Sequence, residues 1–250
     1  MQKNLLMKKG IFIVALFSSL ALSAQNDANY YLKIGRRAKE HRNYTDAIAN
    51  FSFAIRLDSL NAEVYKERGI AYASKGDLDL ALADYRTATS LNPKDDEAFG
   101  YKSNVFVLMD EFDSARVAIN QAISLNDKDI RFYVQRGVIN AKQEKCEEAI
   151  KDFTYAVEAE PQQSFYYYNR GSCYNDIGEY AKAVEDFGKV IELDNENDAA
   201  FFARGALKCE FFDKEEGCLD LSRALELGNE RAKEKIDKYC KKSKKKKNKH

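Results

Sequence analysis

An arginine followed sixteen residues later by an aspartate occurs four times in register in this 250-residue chain: Arg68 with Asp84, Arg136 with Asp152, Arg170 with Asp186, and Arg204 with Asp220. Carboxylates beside guanidinium groups act as catalytic acids or bases, or as anion clamps, when they gather in one cleft. Here they are spread along the chain at multiples of 34 residues, and two further registers lose both partners together: Ile34 with Asn50, and Lys102 with Ala118. Joint presence or joint loss predicts side chains that touch each other, one structural ion pair per repeating unit. The rest of the chain offers no competing chemistry. His41 and His250 are isolated, and the acid pairs Glu147-Glu148, Asp95-Asp96 and Glu215-Glu216 fall near expected helix ends, where solvated acids are ordinary. No nucleophile triad, Gly-rich phosphate loop or metal-ligand spacing is legible. The sequence therefore predicts a protein that is not an enzyme, with no catalytic residues, no metal ligands and no cofactor.

The elements that must position those pairs repeat with the same period. Gly35, Gly69, Gly137, Gly171 and Gly205 lie in one register, Ala47, Ala81, Ala115, Ala149 and Ala183 in a second, and Ala54, Ala88, Ala122, Ala156, Val190 and Ala224 in a third. Every step is a multiple of 34, without insertion from Ala28 to Arg231. Within one unit the apolar residues recur at helical spacing, so Val64 to Lys75 and Leu78 to Leu91 read as two helices broken by Gly76-Asp77 and ended by Asn92-Pro93. One such hairpin cannot bury its apolar face alone, so neighbours must stack.

The block Tyr65, Gly69, Tyr72, Ala81, Tyr85, Ala88, Pro93 resembles the tetratricopeptide repeat family in order and spacing. The third unit departs from the pattern with Ser103, Asp110 and Asp127 for the two Gly and the Pro, and the sixth with Gly217 for the small Ala. The resemblance implies an all-α fold: a right-handed superhelical solenoid of six two-helix repeats, spanning 28–61, 62–95, 96–129, 130–163, 164–197 and 198–231, with a capping helix at 229–240. It also implies an inner wall, built by the first helix of each repeat, that holds a peptide or protein segment. By offset that wall takes in Arg36, Lys66, Asn104, Arg131, Val134, Phe165, Tyr168, Asn175 and Phe202. Its later part is aromatic over the small residues Ser172 and Ala206, so Phe165, Tyr168 and Phe202 stand either as partner anchors or as packing between repeats. The family's clamp for a partner's terminal carboxylate is not expected, because Leu32, Glu67 and Tyr101 occupy its positions.

The two ends differ from the body. Three of the 40 basic side chains lie in 1–24 and seven in 241–250, where there is no acid; 30 basic therefore face 40 acidic side chains over the 216 residues between, a net of −10. Lys3, Lys8 and Lys9, the apolar run from Ile11 to Leu22 and the exit Ser23-Ala24 read as a signal peptide cleaved near Ala24, the run being shorter than the roughly 20 residues that span a bilayer. This predicts export, to the periplasm or outside the cell, and an array over 25–240. In that oxidising setting the odd count of five cysteines leaves one or more unpaired. If the final helix folds back on the sixth unit, Cys218 and Cys240 meet; otherwise all five are small buried hydrophobes. The Lys-rich tail at 241–250 reads as a disordered segment, either solvated or in peripheral contact with the envelope, and the acidic body argues against a nucleic-acid partner. The partner expected is a protein or peptide. The alternative is a structural part of an envelope assembly, bound through its ends, convex face or basic tail.

Overall fold

A computed structural model describes residues 25–241. The expected signal peptide and all but the first residue of the basic tail lie outside the described residues. Those described form helices and no strand: α1 over 25–40, α2 Tyr44–Leu57, α3 Ala62–Lys75, α4 Leu78–Leu91, α5 Asp96–Leu108, α6 Phe112–Leu125, α7 Ile130–Lys142, α8 Cys146–Ala159, α9 Ser164–Asp176, α10 Tyr180–Leu193, α11 Asp198–Phe211, α12 Lys214–Glu226 and α13 Arg231–Tyr239. The class is the expected all-α helical repeat. Two compact units divide the chain at Asp127 and Lys128. In the first, the hairpins α3–α4 and α5–α6 each pack against the element before them. In the second, α7–α8, α9–α10 and α11–α12 form a row, and α13 packs on α12 and α11. No helix among the described residues is long and apolar enough to cross a membrane.

Short polar residues set where the first helices begin. Asn61, Asp95, Asp129 and Asn197 each accept a hydrogen bond from a first-turn amide, which satisfies a donor the helix leaves open. The Asn61 cap starts α3 at Ala62, two residues before the sequence placed it. The turns between paired helices share one geometry. The amides of Asn43, Asp77, Glu111, Lys145 and Glu179 each donate to the carbonyl five residues earlier, and the residue before each has a positive φ. Gly76 and Gly178 fill that left-handed position without cost, but Arg42, Asp110 and Glu144 adopt it too, with φ of 58°, 58° and 59°. Asp110 thus preserves the turn that its departure from the repeat pattern put in doubt. The sixth turn does break the pattern: Phe212 sits at φ −133° and ψ −100°, and Asp213 caps α12 instead.

Inside each hairpin a small residue meets a large one. At Gly69 an added Cβ would come within 2.9 Å of the Tyr85 ring. Where Ser103 replaces that glycine, Ile119 replaces the ring, and the buried Ser103 hydroxyl donates to the Ala115 carbonyl at 2.9 Å. The second departure, Gly217, brings α11 and α12 closer: a Cβ there would lie 2.6 Å from the Cys209 amide and 2.7 Å from the Gly205 carbonyl.

Candidate peptide-binding cleft

The four arginine–aspartate pairs are bidentate. Arg68 donates to both oxygens of Asp84 at 2.8 Å, Arg136 to Asp152 at 3.0 and 2.7 Å, and Arg170 and Arg204 to Asp186 and Asp220 at 2.8 and 2.7 Å. The aspartates are buried, and the carboxylate hydrogen bonds hold each guanidinium above its ordinary range against the pull of burial. Each carboxylate is occupied inside its own hairpin, which makes these pairs struts between helices.

The charged early wall residues tie one hairpin to the next. Arg36 donates to Glu67 at 2.8 Å and to Glu63, Lys39 bonds Glu67, and Lys66 meets Asp95 at 2.9 Å and Glu97 at 3.3 Å. Burial alone would push the Glu67 carboxyl up, but the hydrogen bonds and charges of Lys39 and Arg36 outweigh it and hold the group below its ordinary value. Asn104 is exposed, and Arg131 folds back on Asp129 at 2.6 Å, the cap of its own helix. Val134 is half-buried against Cys146, Ala149, Phe153 and Cys173. In Arg36, Lys66 and Val134 the wall positions serve packing and pairing between hairpins.

The later wall residues line open space. Within the second unit, α9, α11 and α13 enclose a cleft of about 490 Å³. From α9 come Tyr168, Ser172, Asn175 and Asp176, at one helical face; from α11 come Phe202, Ala206, Glu210 and Phe211; from α13 come Arg231 and Lys235, four apart. Ser172 and Ala206 keep the floor low, while Tyr180 and Phe187 from α10 complete an aromatic wall. Tyr168 tilts against Phe187 with centroids 5.6 Å apart, and Tyr180 stacks on Phe211 at 4.0 Å. The Arg231 guanidinium lies 4.7 Å over the Phe202 ring. A second depression of about 340 Å³, lined by Ser164, Phe165, Asn197 and Ala199, shares Tyr168 with the first. Phe165 is 52% exposed. Tyr168, Asn175 and Phe202 therefore share one cleft, with Phe165 at its extension, and Arg36, Lys66 and Asn104 have no place in it. The cleft thus combines an apolar body with two acids, Asp176 and Glu210, and two bases, Arg231 and Lys235.

Cys218 and Cys240 are joined, sulfur to sulfur at 2.07 Å, which ties α13 to α12. Cys209 adds a third sulfur, 3.9 Å from that of Cys218, as a free thiol. The three sulfurs lie within 4.8 Å of one another. Sequence spacing could not find this cluster, since nine residues along the chain become neighbours only through the Gly217 contact.

Arg231, Lys235 and Glu210 were also missed. Counting only the first helices of six repeats assigned 229–240 to covering an open end, and the helix proper begins at Arg231. The available signal was the spacing of Arg231 and Lys235 beside the inward pair Ala232 and Ile236.

Family models of the tetratricopeptide repeat match residues 32–96 and, separately, 164–197. By sequence, none of the curated proteins matches the chain. Among solved structures it is similar to YrrB, described as a tetratricopeptide protein with an unusual peptide-binding site, with a TM-score of 0.68 at 22% identity over 75% of this chain and 97% of that one. PilF of Pseudomonas aeruginosa aligns with a TM-score of 0.72 at 13% identity over 86% and 99%. A tetratricopeptide repeat protein of Parabacteroides merdae aligns with a TM-score of 0.60 at 20% identity over 96% and 98%. At these identities the likeness is one of fold.

Proposed function

We propose, for a chain that belongs to the tetratricopeptide repeat family, that it is an exported, non-catalytic scaffold holding a peptide or protein segment between α9, α11 and α13. Stacked hairpins of this family serve in general as protein–protein interaction scaffolds. The observation that carries the finer reading is the cleft itself: aromatic walls over a floor of Ser172 and Ala206, with Arg231 and Lys235 on one flank. Its volume lies in the range of ligand sites, and exposed aromatics in a concavity make good anchors. The peptide-binding site ascribed to YrrB supports the same kind of partner. Export is supported by the basic, apolar and small-residue order of 1–24, and a disulfide at Cys218–Cys240 suits an oxidising compartment.

The test is capture from the native envelope by crosslinking, with Tyr168→Ala and Phe202→Ala compared against a chain ended before Lys241. Loss of the captured partner in the two aromatic variants, with the shortened chain retaining it, is the expected result. Loss only in the shortened chain would overturn the cleft reading and assign the protein to an envelope assembly through its tail.

A further inference from the structure

Where the second repeat meets the third, three positions that converge in space depart from the pattern of the other pairs, and the difference leaves a charge. In two of the four intact pairs, three side chains meet. A hydroxyl from the preceding hairpin accepts from the arginine, whose other nitrogens grip the aspartate. Ser52, Arg68 and Asp84 meet this way at 3.0 and 2.8 Å, and Thr154, Arg170 and Asp186 at 3.2, 2.8 and 2.7 Å. In the same register Arg86 of the second repeat faces Lys102 and Ala118 of the third. The hydroxyl has become a cation, the arginine a lysine, and the carboxylate a methyl group. A locus that is neutral elsewhere holds two positive charges here, in a body whose net charge is −10.

The lost side chains also leave room. Arg86, Lys102 and Ala118 border a cleft of about 450 Å³ in the first unit, with Phe99, Phe106 and Val117 as its apolar lining and no acid among its walls. Neither Arg86 nor Lys102 has an ion-pair partner among the described residues. Val117 is 73% exposed, although valine is a residue that packing normally covers. Burial, with the Arg86 charge added, pushes the Lys102 ammonium below its ordinary range, so the site is short of negative charge as well as empty of it.

The geometry points to a binding site for a carboxylate side chain on a partner protein's peptide segment, its neighbouring apolar side chain seated against Phe99, Phe106 and Val117. The partner's acid takes the place that Asp84, Asp152, Asp186 and Asp220 fill from within. Charge complementarity selects this occupant. The chain's own Lys-rich end carries the wrong sign, and an extended polyanion would meet the repulsion of the acidic body, whereas a single carboxylate meets only the local pair of cations. This site lies in a different unit from the aromatic cleft and does not depend on it.

The experiment uses the full mature chain and an array of decapeptides in which Glu or Asp adjoins Leu or Phe, each alongside its Gln or Asn counterpart, with a single-stranded oligonucleotide as a further probe. Acidic peptides should bind, and their amide counterparts should bind about ten- to a hundredfold more weakly, the scale of a hydrogen bond to a charged group. Lys102→Gln should weaken the acidic peptides to the same degree. Ala118→Asp rebuilds the internal pair, so it should keep or raise the melting temperature while closing the site. Binding lost in Phe202→Ala but kept in Lys102→Gln would place these peptides in the aromatic cleft and overturn the assignment. Failure of every acidic peptide to bind, equal binding to the Ala118→Asp chain, or a preference for the oligonucleotide would each overturn the assignment. So would self-association that disappears in Ala118→Asp, which would make a second copy the occupant.

Discussion

Gly217 is hemmed in by main chain, where Gly35 and Gly69 face aromatic rings. A methyl group there meets backbone atoms on α11 at 2.6 and 2.7 Å, and backbone cannot swing aside as a flexible side chain can. Gly217→Ala should therefore lower stability by about 3 kcal/mol, at the upper end of overpacking costs, measured by denaturant unfolding. The aspartates are governed by charge instead. Asp186→Asn strands the Arg170 guanidinium, whose side chain keeps 16% of its exposure; this discounts the cost of breaking a buried pair to about 2–3 kcal/mol. Replacing both, as Arg170→Met with Asp186→Leu, should recover most of that loss, because apolar packing of similar volume removes the desolvation penalty along with the bond. A double-mutant cycle showing no recovery would mean the pair itself supplies the stability. At Cys209 the determining quantity is the thiolate fraction. Burial pushes this thiol up, so attack on Cys218 is slow at neutral pH and accelerates as pH rises. In that exchange a Cys209–Cys218 bond forms, the Cys218–Cys240 bond breaks, and Cys240 leaves as a thiolate that takes up the proton Cys209 gave. Of the three clustered cysteines, alkylation followed by peptide mapping should label Cys209 alone at about pH 7 and Cys240 as well above about pH 9. Label confined to Cys209 across that range would exclude the exchange.

At the level of single helices, α13 is where stability and the cleft meet. Its bridge closes a span of 22 residues, and loss of such a cross-link costs about 3 kcal/mol in the chain-entropy account. Cys240→Ser should lower the melting temperature and free α13, carrying Arg231 away from Phe202 and so exposing the aromatic wall. Binding of a hydrophobic dye such as ANS, rising in the variant and in the reduced protein alike, would report that release. How these elements were legible from sequence follows from what sequence records. The bounds of α4, the buried alanines and the Arg–Asp struts were readable because each recurs at multiples of 34 residues, so one reading is checked several times over. The left-handed turns at Arg42, Asp110 and Glu144 were not, since nothing in those residue types announces a positive φ; only the register with Gly76 and Gly178 does. The cleft was half legible: its first-helix residues follow from offset, while Arg231 and Lys235 belong to a helix outside the repeat and Arg36 and Lys66 turned out to be committed to neighbouring hairpins.

Taken as a whole, the chain spreads its electrostatics along the array instead of focusing them at one centre, and the sign of its pH response follows from where the acids sit. Between hairpins of the first unit, Glu67 receives Arg36 and Lys39 while its side chain retains 11% of its exposure, and Lys66 reaches Asp95 and Glu97. Glu67 titrates below its ordinary value when folded, whereas in the unfolded chain a glutamate titrates near 4.3. A carboxyl whose folded value is depressed binds fewer protons in the folded state. Its stabilisation is thus fully present above the unfolded value and is lost as pH falls through the folded one. The partners are partly exposed, so the contribution at neutral pH is about 1–2 kcal/mol, less than a fully buried charged hydrogen bond would give. Glu67→Gln should be less stable than the parent by that amount at pH 7, and the two chains should converge in denaturant unfolding as pH drops below about 4, the region where an unperturbed glutamate protonates. A difference that persists unchanged at pH 3 would show that Glu67 acts through packing. A difference that appears only in acid would reverse the sign of the linkage and remove the ion-pair ladder from the account of how these hairpins hold together.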